Sequence, residues 1–112
     1  MAKPKEVPRL GEVELLVVLA VLRLDGQGYA VPIRKLIQSE AGVALARGTI
    51  YVTLDRLETK GLVESRLSEP TGEPGGKARR LFRIRPAGLD AVRAARRGID
   101  RLAAGTVLEA GG

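Results

Sequence analysis

The sequence lacks the residues on which several classes of protein depend. Its 112 residues include no cysteine and no histidine, which excludes disulfides, thiolate metal sites and acid–base catalysis by imidazole. Aromatic residues make up only 3% of the chain, so its core has to be aliphatic. The longest apolar run covers residues 15–22 and is too short to span a membrane. The N-terminus lacks the apolar segment of a secretion signal.

Catalytic constellations are also missing. Ser39, Ser65 and Ser68 have no evident base in the sequence, and the carboxylates show no metal-ligand spacing. We therefore expect no enzyme activity, no metal and no cofactor. The absence of cysteine fits a reducing cytosol.

The positive charge is concentrated in the last third of the chain. The net charge is +6; residues 1–76 hold ten Lys/Arg and ten Asp/Glu, and residues 77–112 hold nine and three. Clustered cations favour a polyanionic partner, because neutralising phosphates releases counterions. The alternative at this point is a basic surface that contacts only water.

The first half of the chain predicts three helices behind a loose arm. Residues 1–9 contain two prolines and read as a flexible N-terminal arm. Residues 12–24 are apolar almost all round, and their length favours a buried helix over a strand. A second subunit could cover the face that a small domain leaves open. Residues 31–42 form an amphipathic helix that Gly42 can stop, and residues 46–61 form a third helix that ends at a glycine.

The second half predicts a hairpin and a last helix. Residues 62–67 and 78–85 alternate apolar and polar, with a loop rich in Pro and Gly between them. Pro86 can begin a helix over residues 86–106, and residues 107–112 read as a disordered tail. We therefore predict a mainly α-helical fold with a small β-hairpin. Its element order is that of a winged helix-turn-helix domain, over residues 10–85.

The third helix and the hairpin carry the candidate binding residues. Ile50, Leu54 and Leu57 would anchor the helix, which leaves a polar face for the major groove. Arginine can chelate guanine, threonine can meet phosphate or a thymine methyl, and Gly75 and Gly76 would let the hairpin tip bend. A solvated amphipathic helix is the alternative. The predicted DNA contacts are Arg47, Thr49, Tyr51, Thr53, Arg56, Lys60, Lys77, Arg79 and Arg80.

Five motifs together resemble the PadR family of bacterial transcriptional regulators. They are LGEVELLVVLAVLRL, GYAVPIRKLI, GTIYVTLDRLETKGLV, GGKARRLFRI and PAG, in this order over about residues 10–90. The resemblance implies a winged helix-turn-helix that dimerises through its terminal helices and usually represses promoters. It implies a DNA-backbone contact for Tyr51 and basic wing positions for Lys77, Arg79 and Arg80. The chain departs from the family at Ala46, where a Ser cap is common, and at Arg85, where Thr is common.

These observations predict a homodimeric repressor that binds a pseudo-palindromic double-stranded DNA operator in the bacterial cytoplasm, associated with the nucleoid and not with a membrane. A winged-helix adaptor that binds another protein, without sequence-specific DNA binding, is the alternative. A small hydrophobic effector could occupy an aliphatic cavity between the first helices of two subunits. The last helix is short, so the dimer would rely more on the first helix. The predicted dimerisation residues are Leu15, Val18, Leu19, Leu22, Val92, Ala95, Ile99 and Leu102.

Overall fold

The computed structural model describes residues 8–70 and 77–110, which form five helices and one two-stranded hairpin. Within these ranges every helix is too short or too polar to cross a lipid bilayer. The elements are α1 (Glu12–Leu24), α2 (Ala30–Ala41), α3 (Arg47–Thr59), β1 (Val63–Leu67), β2 (Arg80–Ile84), α4 (Pro86–Ala103) and α5 (Val107–Ala110). The predicted order of three helices, a hairpin and a last helix is confirmed.

The helix pair α2–α3 has the ends that the sequence predicts. α2 stops at Gly42, whose φ of +70° lies in the left-handed region that glycine tolerates best. α3 begins after Ala46 without any side-chain cap, as the departure from the family pattern implies. The Nε of Arg34 on α2 donates to the Leu45 carbonyl oxygen at 2.8 Å. This bond fixes the connection that sets the angle between the two helices.

The hairpin is antiparallel and is joined to the helical part at its base. Val63 lies opposite Ile84, and Leu67 lies opposite Arg80. The amide of Phe82 donates to the carbonyl of Gly28 at 2.7 Å, so β2 also pairs with the turn that precedes α2. Leu81 and Phe82 are both buried, which explains why the alternation of β2 breaks at this point in the sequence.

The core lies where α1 meets α2, α3, β2 and α4, and it is aliphatic apart from Phe82. Two predicted dimerisation residues belong to it. Val18 is completely buried within the subunit and Val92 is 5% exposed, so both pack mainly within their own chain, and Val92 alone of the two borders a surface groove. α1 is apolar on several faces because it contacts four elements of its own chain. These contacts cover a large part of its apolar surface without a second subunit.

The chain end differs from the prediction. Residues 107–110 form the short helix α5, so a disordered tail is wrong for them, and α4 ends at Ala103 rather than at residue 106. α4 starts with Pro86 in its first turn and lacks a side-chain cap at Arg85, as predicted. Residues 1–7 of the predicted arm, the hairpin tip with Gly75 and Gly76, and residues 111–112 lie outside the described residues.

Candidate nucleic-acid interface

α3 is anchored by one face, and this fixes what the opposite face presents. Ile50, Leu54 and Leu57 are completely buried, as predicted. Since successive residues are turned by about 100° around a helix, residues on the far side from this row point to solvent. The direction of each polar side chain on α3 follows from this anchoring.

Thr53 does not belong to the exposed face. Its side chain is only 4% exposed, and its hydroxyl donates to the Thr49 carbonyl oxygen at 2.7 Å. The residue lies three positions after Ile50 and four before Leu57, which places it at the edge of the buried row. The prediction that Thr53 contacts DNA is therefore wrong, because its hydroxyl bonds to its own helix.

Gly48, Val52, Asp55 and Thr59 form the outermost row of α3. They follow each other at spacings of four, three and four and are all exposed. Val52 is 56% exposed, although it is apolar. The sequence prediction missed Val52 and Asp55 because it looked for cations and hydroxyls. Helical spacing from the buried row was the signal that would have found them.

The other predicted positions of α3 border this row. Thr49 and Arg56 are exposed on one side of it, and Tyr51, 50% exposed, lies on the other side. Arg47 is exposed in the first turn, where backbone amides without helical partners also attract anions. These four residues are placed as the prediction requires.

Lys60 is turned towards α1. Its Nζ donates to Oε2 of Glu14 at 2.7 Å, while Oε1 of Glu14 accepts from the Gly11 amide at 3.0 Å. Burial raises the pKa of Glu14, but the hydrogen bonds from Lys60 and Gly11 and the charges of Lys60 and Arg56 outweigh it, and the pKa lies below its ordinary value. The charge of Lys60 is thus engaged within the protein.

Arg80 is held between the hairpin and α3. Its guanidinium donates to Oδ1 of Asp55 at 2.9 Å, to Glu58, and to Oγ of Ser65 at 3.0 Å. The hydrogen bond to Asp55 raises the pKa of Arg80, burial partly offsets this, and Glu58 adds to the rise. The guanidinium also lies 5.0 Å from the centre of the Phe82 ring. Like Lys60, Arg80 serves internal contacts in this arrangement.

Arg79 and Lys77 are the exposed cations at the distal end of the described hairpin. The guanidinium of Arg79 lies 4.5 Å from the centre of the Tyr29 ring and donates to the Tyr29 hydroxyl at 2.8 Å. Its backbone exchanges hydrogen bonds with Ser68, each of 2.8 Å. The side chain is therefore oriented, yet exposed.

The basic residues of the last third are more dispersed than the charge count suggested. Five of the nine, Lys77, Arg79, Arg80, Arg83 and Arg85, lie in or next to the hairpin, and four, Arg93, Arg96, Arg97 and Arg101, lie on α4. Among residues 8–70 and 77–110, no cluster of three or more Asp or Glu could hold a metal ion. The cationic surface thus extends along a helix as well as along the wing.

Three helices, of which the third is exposed, are followed by a basic hairpin. This arrangement defines a winged helix-turn-helix protein. Residues 18–94 match the transcriptional regulator PadR-like family, and the chain belongs to this family. The members of this family are described as transcriptional regulators.

Known proteins of this class resemble the chain in sequence and structure. It is 40% identical over 67 residues to the transcriptional regulator Rv3488 of Mycobacterium tuberculosis, a match that spans 58% of this chain and 57% of that protein. A PadR family regulator from Clostridium difficile is 26% identical, with a TM-score of 0.68 over 83% of this chain and 95% of the other. A PadR family regulator from Eggerthella lenta is 27% identical, with a TM-score of 0.64 over 80% and 76%.

Proposed function

We propose that this protein is a homodimeric repressor that binds a specific double-stranded DNA operator in the bacterial cytoplasm, in association with the nucleoid. The observation that carries the proposal is the exposed outer row of α3, together with the exposed hairpin cation Arg79 that Tyr29 orients. All four residues of the row are exposed in the described part of the chain, although Arg80 reaches Asp55. An exposed second helix of a helix-turn-helix pair, with a basic wing next to it, has the shape and charge that the major groove and its phosphates require.

The proposed contacts divide into base-reading and phosphate-binding groups. Arg56 and Thr49 border the outer row and would meet base edges, and Val52 offers methyl groups to a thymine methyl. Arg47 and Tyr51 would meet phosphates near the start of α3, and Lys77 and Arg79 would meet them from the wing. Phosphate contacts of this kind supply affinity, whereas the base contacts supply sequence preference.

The start of α3 can come close to the DNA backbone. A Cβ atom built at Gly48 has no heavy atom within 4 Å, so the helix surface is open at this point. The first amides of α3 lack intrahelical acceptors and favour a phosphate. Since no side chain at Gly48 stands in the way, a phosphate could reach these amides directly.

A groove between the start of α1 and the outer half of α4 is the proposed dimer interface. It is lined by apolar residues that include Leu15, Ala95, Ile99 and Leu102, with Gly98 between them. Leu102 is 84% exposed, which is unusual for a leucine unless a partner covers it. Leu19 and Leu22 line a neighbouring groove along α4. A two-fold dimer would set two α3 helices about 34–36 Å apart on a pseudo-palindromic site.

A small hydrophobic effector would fit the same arrangement. If two subunits bring their α1 helices together, the partly exposed side chains of Leu15, Leu19 and Leu22 would line an aliphatic cavity. A hydrophobic compound library provides the test. Compounds that bind should raise the melting temperature and change the affinity for the operator. If no compound has either effect, an effector at this position is rejected.

In vitro selection from random duplexes, followed by titration of the selected site at two salt concentrations, tests the proposed function. We expect a consensus with two inverted half-sites and an affinity that falls steeply with salt. Weak, salt-sensitive binding without a consensus would contradict the proposal. It would favour an adaptor that uses the apolar groove of α1 and α4 for another protein.

A further inference from the structure

Asp55 occupies a position that is unexpected for a protein that binds a polyanion. It lies in the middle of the outermost row of α3, between Val52 and Thr59, and its side chain is 63% exposed. In the proposed complex this row enters the groove, where a carboxylate would be repelled by the phosphates on both sides. A bound cation or a favourable contact is needed to offset the repulsion.

The structure supplies the cation from the wing. Arg80 donates to Oδ1 of Asp55 at 2.9 Å, and its guanidinium is held in place by Glu58, Ser65 and the ring of Phe82. Ser65 also donates to Oε2 of Glu58 at 2.6 Å, which fixes Glu58 in turn. The guanidinium, which Asp55 shares with Glu58, therefore orients the Asp55 carboxylate and offsets part of its charge before any DNA arrives.

One oxygen of Asp55 remains available. Within the described part of the chain, the only donor that reaches this carboxylate is the Arg80 guanidinium, at Oδ1. Oδ2 can accept a further hydrogen bond from outside the protein. On an exposed helix face that enters the major groove, the donors that a carboxylate can meet are the exocyclic amines of cytosine and adenine.

Resting on the proposed DNA-binding function, we infer that Asp55 determines specificity by accepting a hydrogen bond from N4 of a cytosine in each half-site. Arg80 acts as the positioning residue that holds the carboxylate and offsets part of its charge. Cytosine is favoured over adenine because N7 of adenine is an acceptor beside the amine and repels a carboxylate, whereas the neighbour of cytosine N4 is a C–H group. The base preference of α3 thus depends on an acidic residue as well as on Arg56.

Selection with the full-length Asp55→Asn variant tests this inference. The amide can bond both N6 and N7 of adenine, so one base pair of each half-site should change from C·G to A·T. In binding titrations, the unaltered protein should bind the C·G duplex about tenfold more tightly than the A·T duplex, and Asp55→Asn should bind the A·T duplex about tenfold more tightly than the C·G duplex. A factor of about ten is the usual effect of one specific base contact. Asp90→Asn removes the same charge from an exposed position on α4 and should leave the consensus unchanged.

Glu58→Gln separates base reading from a merely structural role. This substitution weakens the support of Arg80 but leaves the outer row of α3 unaltered, so the consensus should be retained. If Glu58→Gln changes the same base pair from C·G to A·T, as Asp55→Asn does, Asp55 acts only through the wing and the inference is overturned.

The inference would also be overturned if Asp55→Asn changed the affinity for every duplex by the same factor, and if this factor were equal to that of Asp90→Asn. Thermal melting of each variant shows whether it is folded. Failure of the proposed function gives a different result, since the unaltered protein would then select no consensus at all.

Discussion

Glu14 joins two helices through a single carboxylate. It caps the start of α1 at the Gly11 amide and pairs with Lys60 at the end of α3. Its lowered pKa means that the ionised form is favoured in the folded protein. The contact between α1 and the end of α3 therefore depends on the ionisation of Glu14.

The folded protein should lose stability in acid partly through Glu14. A lowered pKa stabilises the fold above the ordinary value of 4.5, and this contribution disappears as the pH falls through the folded-state pKa. Glu14→Gln should lower the melting temperature at neutral pH and lessen its fall between neutral and strongly acidic pH. Melting curves across this range measure both effects. Glu12→Gln, at an exposed residue of the same turn, is the matched control; an equal response in both variants would contradict the assignment.

Arg56 is the arginine of α3 that is best placed for a base. Arg56→Ala should cost about 1–3 kcal/mol of binding free energy on the selected operator and relax the preference at one base pair. Binding titrations on the operator and on its single-base variants measure this. Arg101→Ala removes the same charge from α4 and should change all duplexes alike. If Arg56→Ala also weakens every sequence equally, Arg56 contacts a phosphate instead.

At the scale of the elements, the packing of α4 against the root of the hairpin depends on a missing side chain. A Cβ atom at Gly88 would overlap the carbonyl oxygen of Leu62 and crowd Ile84. The start of α4 can pack this closely against the root of the hairpin only because residue 88 is glycine. The glycine of the sequence PAG, in the first turn of α4, thus has a steric reason.

Gly88→Ala should therefore destabilise the protein by about 1–3 kcal/mol, the usual cost of forcing atoms into a packed site. Denaturant unfolding measures the loss. Gly48→Ala is the matched control, because a Cβ atom at Gly48 meets nothing within 4 Å, and it should not reduce stability. A Gly88→Ala variant as stable as the parent would show that α4 can move away from Leu62 without cost.

The helices and strands were predictable from the sequence, but the ion pairs that join them were not. Apolar spacing and the glycines at positions 42 and 61 set the limits of α2 and α3, because these signals are local. Thr53 was misplaced because a threonine at the edge of a buried row reads as polar, although it can bond to its own helix. The ion pairs of Lys60 with Glu14 and of Arg80 with Asp55 join residues 46 and 25 positions apart. No sequence spacing specifies such pairs, so two predicted DNA contacts turned out to be engaged internally.

At the scale of the whole molecule, oligomeric state is the property that most affects function. A monomer offers one α3 helix, whereas a two-fold dimer reads two half-sites at once. The apolar groove between α1 and α4, with the exposed Leu102, is the surface on which this difference depends.

Leu102→Glu should convert the proposed dimer into a folded monomer, because Leu102 is 84% exposed in the subunit and its loss removes little from the core. Size-exclusion chromatography with light scattering should show half the mass, and operator affinity should fall. Leu67→Glu is the matched control, since Leu67 is 72% exposed on β1, outside the groove. Unchanged mass in Leu102→Glu, or an equal loss in Leu67→Glu, would place the interface elsewhere.

The backbone of Phe82 has neighbours on two sides, with Ser65 opposite it in the hairpin and the Gly28 carbonyl on its other edge. Gly28 lies four residues beyond the end of α1. If α1 moved on binding a second subunit, the strand that carries Arg80 would have to move with it, or the hydrogen bond between Phe82 and Gly28 would have to break. Through this one amide the turn that follows α1 is joined directly to the strand that carries Arg80, so the subunit contact that we propose for α1 would act on the position of the wing.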